Sequence, residues 1–414
     1  MLHITDSYDF IVIGGGPAGM MAAGRAGERG KKVILLEKKD HLGKKLLICA
    51  SGRCNVTNTA PLDVLINAYG RGGHFLRTAL ETFDNEKLRL FLLSYDVETV
   101  VENKGRVFPK SQKADSILKV LEGYLYDHQV KIQTNSHVLR LNTENNHVLG
   151  VETSQGNVLG RNVLIATGGL SYPATGSTGD GYKLASSAGH TICPTYPAIV
   201  AFETEETWVK FLQGTPIKNI NIAAYQRGKK IMEHFGESLF THYGISGPSI
   251  LDMSKRIVEC LPNGIVQIHI DFKPHHSSEE LDKILINQIK RHGSKVIKSC
   301  LTFFIPEKLV PILLNLCNIE SHKKVSQITT PERKKILKQL KGLHLTLIRH
   351  RPIEEAIVTA GGVSLNEVDA KTMKSKLLEG LYFAGEVLNV DGPTGGFNLQ
   401  AAFSTGYLAG NSID

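Results

Sequence analysis

The string Gly14-Gly15-Gly16-Pro17-Ala18-Gly19 follows directly on the apolar run Phe10–Ile13. A Gly-x-Gly-x-x-Gly turn between a strand and a helix can hold a dinucleotide. Gly14 makes the tight turn, Gly16 lets backbone approach a pyrophosphate, and Gly19 lets the helix sit close to the strand. Unpaired N–H groups at the helix start then face the phosphates. The next apolar run, residues 32–36, ends in Glu37, eighteen positions past Gly19. A carboxylate there can accept hydrogen bonds from an adenosine ribose. It also disfavours a 2′-phosphate, which makes NADP the poorer occupant, while FAD and NAD are not separated by this half of the chain.

The carboxyl end separates them. "GLYFAGEVLNVDGPTGGFNLQAAFSTGYLAG", from Gly380, reads as a short buried strand closed by Gly385 and Glu386, then a helix opened by 394–396 and running through Asn398, Gln400 and Gly406. A strand ending in glycine and an acid, followed by a glycine-capped helix, can hold a ribityl chain and offer a second set of N–H groups. NAD has no ribityl chain, so this second element favours FAD. A further strand over 161–166 ends in "ATGG", and the turn at Thr167, Gly168 and Gly169 can approach the cofactor. Ser177 to Asp180 reads as the cap of a helix continuing to Gly189. "TAGGV" at 359–363 resembles the 166–169 turn.

Other residues offer chemistry of less definite use. Cys49-x-x-x-x-Cys54 has the spacing of a dithiol that exchanges electrons with flavin, and equally that of two cysteines packed in a buried loop. Arg53 and Asn55 can hold a carboxylate or the flavin ring, or simply anchor their loop. Tyr172 and His242 are candidate proton donor and acceptor. The sixteen histidines form no metal-binding pattern, and His275-His276 reads as a polar pair before a helix.

These groups need several elements to position them. A chain of 414 residues implies two or three domains. With 42% hydrophobic and 21% charged residues it has a globular composition. Residues 20–30, with Ala22, Ala23 and Ala26, read as a helix lying close on the sheet. The opening "MLHITDSYDFIVIGGG" leads straight into a strand, with no secretory pattern and no long apolar span. A cytoplasmic protein without membrane insertion is expected, and six cysteines without framework spacing agree. The net charge of +8 gathers between Lys290 and Lys341. Those lysines alternate with apolar residues at helical spacing, so a solvated helix face is the favoured reading and nucleic acid the disfavoured one.

With these pieces placed, nearly the full chain resembles the bacterial FAD-dependent oxidoreductases of the HI0933-like flavoprotein family, which includes BaiN-like and aminoacetone-oxidase-like enzymes. The resemblance rests on "IVIGGGPAGMMAAGRAGERG", "GKKLLICASGRCNVTN", "GRVFPKSQKA", "VLIATGGLSYPATGSTGDGYKLASSAGH", "TAGGVSLNEVDAKTM" and the closing string above. It implies an α/β, Rossmann-type FAD-binding domain interrupted by an insertion with a β-barrel-like part and a helical part. It also places Ser51, Gly52, Arg53, Cys54 and Asn55 beside the isoalloxazine. Two departures stand out: Cys49, Ala50 and Ser51 where a small hydroxyl residue and glycines are usual, and Asn389 where an aspartate is common.

The expected organisation is 1–190 and 354–414 for the FAD domain, 191–275 with 343–353 for the β-rich insert, and 276–342 for the helical part. Cofactor contacts are expected from Gly14, Gly16, Pro17, Ala18, Gly19, Glu37, Lys38, Lys45, Ser51, Gly52, Arg53, Cys54, Ala166, Thr167, Gly168, Gly362, Gly385, Glu386, Gly395, Gly396, Phe397, Asn398 and Leu399. Arg53, Cys54, Asn55 and Tyr172 are the candidate catalytic residues. The expected reaction is hydride transfer between flavin N5 and a small organic molecule, with NAD(P)H as a transient electron donor. Alternatives are an oxygen-dependent amine oxidase acting on an aminoacetone-like substrate, and a flavoprotein of tRNA or other nucleic acid with Lys323, Lys324, Arg333, Lys334, Lys335, Lys338 and Lys341 as its footprint. A non-enzymatic flavin-binding protein is a third reading. No metal is expected, and the sequence does not define the oligomeric state.

Overall fold

The computed structural model describes residues 7–293 and 295–414. The opening residues 1–6, on which part of the reading of no secretory leader rests, lie outside the described residues. The chain divides into two compact units, one comprising the chain up to Tyr196 and from Ile353 onward, the other Pro197–Pro352.

The first unit is built on a five-stranded parallel sheet. Its strands in chain order are β1 (Phe10–Ile13), β2 (Val33–Leu36), β3 (Lys131–Gln133), β4 (Val163–Ile165) and β5 (Leu381–Phe383). Their spatial order is β5-β4-β1-β2-β3. Every residue of β1, β2, β4 and β5 is buried, which explains why these segments read as unbroken apolar runs rather than as alternations. The chain passes from β1 outward to β2 and β3, then returns to place β4 on the other side of β1. Strand order therefore reverses between β1 and β4, and in open α/β sheets ligands bind outside the carboxyl ends of the strands at such a point.

Two helices flank the reversal, α1 (Pro17–Glu28) and α2 (Phe397–Asn411). They lie almost backbone to backbone. A Cβ added at Gly406 would sit 2.3 Å from the Ala18 carbonyl oxygen, and one at Gly410 would sit 2.3 Å from that of Ala22. The glycines four apart on α2 are thus required by close approach. Gln400, fully buried on the same helix, accepts from Thr57 Oγ1 and donates to the Phe83 carbonyl, so both ends of its own amide are met.

His190, 4% exposed, pairs Nε2 with Ser375 Oγ at 2.7 Å and packs its ring edge on Phe383. Burial holds its pKa below the ordinary value, against the opposing pull of Glu367. The unfolded chain therefore binds a proton as pH falls through about 6.5 while the native ring does not, and stability falls with pH by at most about 1.4 kcal/mol per unit from this group. Melting temperatures measured from pH 7.5 down to 5.5 should show a flatter acid decline in His190→Gln than in the parent.

The second unit contains a closed six-stranded antiparallel barrel. Around the barrel the strands run Phe202–Thr204, Gly244–Ser246, Lys229–Phe240, Pro216–Gln226, Val266–Asp271 and Leu343–His350, the last closing on the first. Alternate residues of Val266–Asp271 are buried, as a one-sided strand requires. Helices Ser278–Arg291 and Thr330–Lys341 begin with capping boxes, Ser277 with Glu280 and Thr329 with Glu332. Part of the basic cluster is neutralised inside this unit. Arg333 makes a two-pronged pair with Asp282, Lys323 pairs with Glu332, and Lys341 pairs with Asp271. The expected α/β architecture with an inserted barrel and helical segments is the one found. Among the described residues no helix is long and apolar enough to cross a membrane, and no group of three or more His, Cys, Asp or Glu is placed to hold a metal.

Candidate functional site

A cavity of about 430 Å³ opens where the strand order reverses, within the size range of small-molecule sites. The carboxyl end of β1 gives it Gly14 to Ala18, that of β2 Glu37 and Lys38, and that of β4 Ala166 to Gly168. Gly385, Glu386, Asn398 and Leu399 bring in the far end of the chain. The two halves recognised in the sequence therefore wall one site.

The walls suit a dinucleotide with a pyrophosphate. Gly16 caps α1 and Gly396 caps α2, neither helix has a side-chain cap, and neither carries an acid in its first turn. Such helix ends retain N–H groups and positive dipole for an anion. A Cβ on Gly16 would meet nothing within 4 Å, whereas one on Gly14, at φ +107°, would sit 2.6 Å from the Ala166 carbonyl oxygen. Thr167 Oγ1, in the cavity lining, is buried without a hydrogen-bond partner among the described residues, an arrangement that a bound polar ligand can relieve. Helix caps, open glycine face and the orphaned Thr167 oxygen together fit FAD.

Glu37 is fixed before any ligand arrives. Its Oε2 accepts from the Gly15 N–H and its Oε1 from the Lys39 N–H, both at 2.8 Å. Each oxygen keeps a second lone pair for a ribose hydroxyl. Glu37→Gln puts an amide donor against one of these N–H groups. It should cost about 1–3 kcal/mol of apoprotein stability in a denaturant melt and weaken FAD about tenfold in a titration.

Lys38 turns to Asp180 and Thr178, the carboxylate at 2.6 Å, and Asp180 is held below the usual carboxylate range by that lysine and by Thr178 against the opposing effect of burial. Lys45 bonds Glu386 at 2.7 Å and Ser171 at 2.6 Å. Glu386 also accepts from the Thr359 N–H and from Ser171, so this acid organises the wall as well as facing the cavity.

Several residues named from the sequence fall outside the cavity lining. Gly19, Gly52, Arg53, Cys54, Asn55, Gly362, Gly395, Gly396 and Phe397 are not among the residues lining the cavity. Gly19 serves packing, because a Cβ there would fall 1.9 Å from the Gly14 carbonyl oxygen. The Arg53 guanidinium is taken up by Glu102 and Gln112 and stacks over Phe108 at 4.1 Å. That is the geometry of a loop anchor. "TAGGV" is a strand rather than a turn, Val358–Val363 paired with Ile192–Ala198. Its glycines admit neighbouring backbone, with a Cβ at Gly361 falling 2.2 Å from the Pro194 oxygen and one at Gly362 falling 2.6 Å from the Val387 oxygen. The helix Asp180–Ser187 is capped by Gly179 in the left-handed region, not by a serine or threonine side chain.

Tyr172 and Cys49 do line the cavity, with Ala50 and Ser51. Tyr172 sits at φ +53° with its N–H on the Glu354 carbonyl, and its hydroxyl makes no hydrogen bond among the described residues. Burial, then the neighbouring Cys49 and Glu355, push its pKa above the ordinary tyrosine value. His242 lies in the second unit, its ring edge on Tyr243. Sequence reasoning missed Ser136 to Val138 and Ile357 and Val358, which complete the wall. The Ser136 N–H reaches the Glu37 carbonyl only because β3 lies beside β2, and no local pattern marks that contact.

The family model that matches this chain is described as the HI0933-like protein Rossmann domain and covers residues 8–412. Two similar proteins are matched over nearly their whole length. A 3-dehydro-bile acid delta(4,6)-reductase of Clostridium scindens is 32% identical across 97% of this chain and 98% of its own. A ribosomal RNA dihydrouridine synthase of Haemophilus influenzae is 30% identical, again across 97% and 98%. Among solved structures, the 3-ketosteroid-delta4-(5alpha)-dehydrogenase of Rhodococcus jostii superposes with a TM-score of 0.54 at 16% identity, covering 100% of this chain and 98% of that one. At that identity it speaks to the fold alone.

Proposed function

The chain belongs to the HI0933-like family of FAD-dependent oxidoreductases, and from that premise we propose that it reduces a carbon–carbon double bond conjugated to a carbonyl group. FAD bound in the cavity would supply hydride from N5. The supporting observation is that both full-length relatives carry names describing saturation of such a bond, in a 3-dehydro-bile acid and in the uracil ring of ribosomal RNA. The protein's part is to hold the acceptor against the ring, exclude water and deliver the proton that completes the reduction. Tyr172 is the residue assigned to that proton, since its hydroxyl is untied and its raised pKa keeps it protonated. The electron donor assigned is a nicotinamide, which docks transiently.

A second reading keeps the chemistry and enlarges the substrate. The 30% identity to a ribosomal RNA enzyme and the net charge of +8 favour an RNA base, whose backbone would be held by exposed lysines such as Lys334 and Lys338 and released by salt. One experiment addresses both. The holoprotein is bleached anaerobically with NADH or NADPH, then mixed with a steroidal 4,6-dien-3-one or with ribosomal RNA lacking the modification. Return of the oxidised flavin spectrum with the dienone supports the small-molecule reading, and return only with RNA supports the second. Bleaching by aminoacetone with peroxide on re-aeration, and none by nicotinamide, would replace both with an amine oxidase.

A further inference from the structure

The cavity wall carries a nucleophile that the proposed reduction does not use. Cys49 lines the cavity, Cys54 is buried behind it, and neither is in a disulfide. The backbone brings the two together. Ala50, Ser51 and Gly52 follow one another in the left-handed region at φ 49°, 57° and 84°, and Cys54 is there too at 62°. For residues other than glycine this conformation costs about 1–2 kcal/mol each, so the loop needs external support. Arg53, clamped by Glu102, Gln112 and Phe108, gives that support.

The loop's reversal lets the Cys54 N–H reach the Cys49 carbonyl at 3.1 Å. It also brings the Cys54 thiol and the Asn55 N–H within interaction range of the Cys49 sulfur. The pair is chemically unequal. The Cys54 thiol, the Asn55 N–H and the Lys45 ammonium hold Cys49 below the ordinary thiol range against the opposing effect of burial, while the neighbouring Cys49 and burial push Cys54 well above it. A cysteine facing a cavity with a second cysteine buried behind it is the arrangement of an attacking and a resolving cysteine.

We propose that Cys49 and Cys54 are a redox-active dithiol that closes to a disulfide in the wall of the flavin cavity, giving this chain a thiol–disulfide exchange activity toward small organic disulfides. The Cys49 thiolate attacks one sulfur of R–S–S–R, that bond breaks, and the first R–S⁻ leaves and takes a proton from solvent. Cys54 loses its proton to solvent and its sulfur attacks the Cys49 sulfur. The mixed disulfide breaks, and the second R–S⁻ leaves and is protonated. Two electrons pass from the protein to the small disulfide, and two thiols are released. Reopening the protein disulfide takes two electrons and two protons from an external dithiol or, resting on the FAD reading of the cavity, from reduced flavin beside it.

The test begins with the full chain and oxidised glutathione as probe, followed by blocking of free thiols, digestion and mass spectrometry. The expected product is a linked Cys49–Cys54 peptide with Cys193, Cys260, Cys300 and Cys317 still blocked as free thiols. Cys54→Ser should trap one glutathione on Cys49, and Cys49→Ser should take none at this loop. A wild-type map in which Cys49 stays free, or in which the buried cysteines react first, overturns the proposal without reference to any variant. In the oxidised holoprotein, anaerobic dithionite titration should consume about four electron equivalents per flavin, against about two in Cys49→Ser. Two in the disulfide-bearing wild type overturns electron exchange with the flavin. A chain that binds no FAD overturns the reading of the cavity, while the peptide map still decides the dithiol.

Discussion

Gly16→Ala should fold as the parent does and bind FAD about a hundredfold more weakly. The three fingerprint glycines are not equivalent here. Gly14 has φ +107° and no room beside the Ala166 carbonyl, and Gly19 lies against the Gly14 carbonyl. Alanine at either disturbs the junction of β1, β4 and α1 itself. Gly16 has φ −82° and ψ 179°, which any residue adopts, and open space where its Cβ would go. That space lies at the uncapped start of α1, so a methyl group there stands between the helix N–H groups and the pyrophosphate. Lengthening those hydrogen bonds, with little else altered, accounts for about 2.7 kcal/mol, or a factor of a hundred. The apoprotein's melting temperature and a flavin-fluorescence titration separate the two effects. Unchanged affinity would remove the pyrophosphate from this helix end, and a large loss of stability would show that the space is needed for folding.

The same contrast explains what the sequence could reveal. Gly14 to Ala18, Glu37 and the closing segment from Gly385 were legible as walls of one cavity because each set of residues is adjacent along one strand–turn–helix unit. The parallel strands were legible because burial on both faces leaves unbroken apolar runs. Gly361 and Gly362 misled for an equally physical reason. A glycine required by a turn and one required by a passing backbone look the same in sequence, and only the neighbouring Pro194 and Val387 carbonyls distinguish them. Arg53 could not be assigned from its own segment, since its partners Glu102 and Gln112 lie 49 and 59 residues away. Nor could spacing alone say whether Cys49 and Cys54 meet, because that depends on three successive left-handed residues, two of which are of types that seldom adopt them.

Tyr172→Phe should slow reoxidation of the reduced enzyme by its enone substrate about a hundredfold or more while leaving flavin reduction by nicotinamide within about twofold. The backbone of this residue is held independently of its hydroxyl. Its N–H bonds the Glu354 carbonyl, and its own carbonyl accepts from the Thr175 N–H and from Thr175 Oγ1. Phenylalanine therefore keeps the ring in place, along with its burial, and removes only the proton. A hundredfold loss corresponds to about 2.7 kcal/mol of the barrier, within reach of a positioned general acid. The sign of the pH dependence follows from the raised pKa. An acid catalyst is active while protonated, and because burial, Cys49 and Glu355 all disfavour the phenolate, the wild-type rate should stay level through neutral pH and fall only above the ordinary tyrosine value of about 10. The phenylalanine variant should lose that basic limb together with the rate. If its reoxidation were as fast as the parent's, the proton would have to come from Cys49 or from solvent, and a Cys49→Ser variant assayed the same way would tell those two apart.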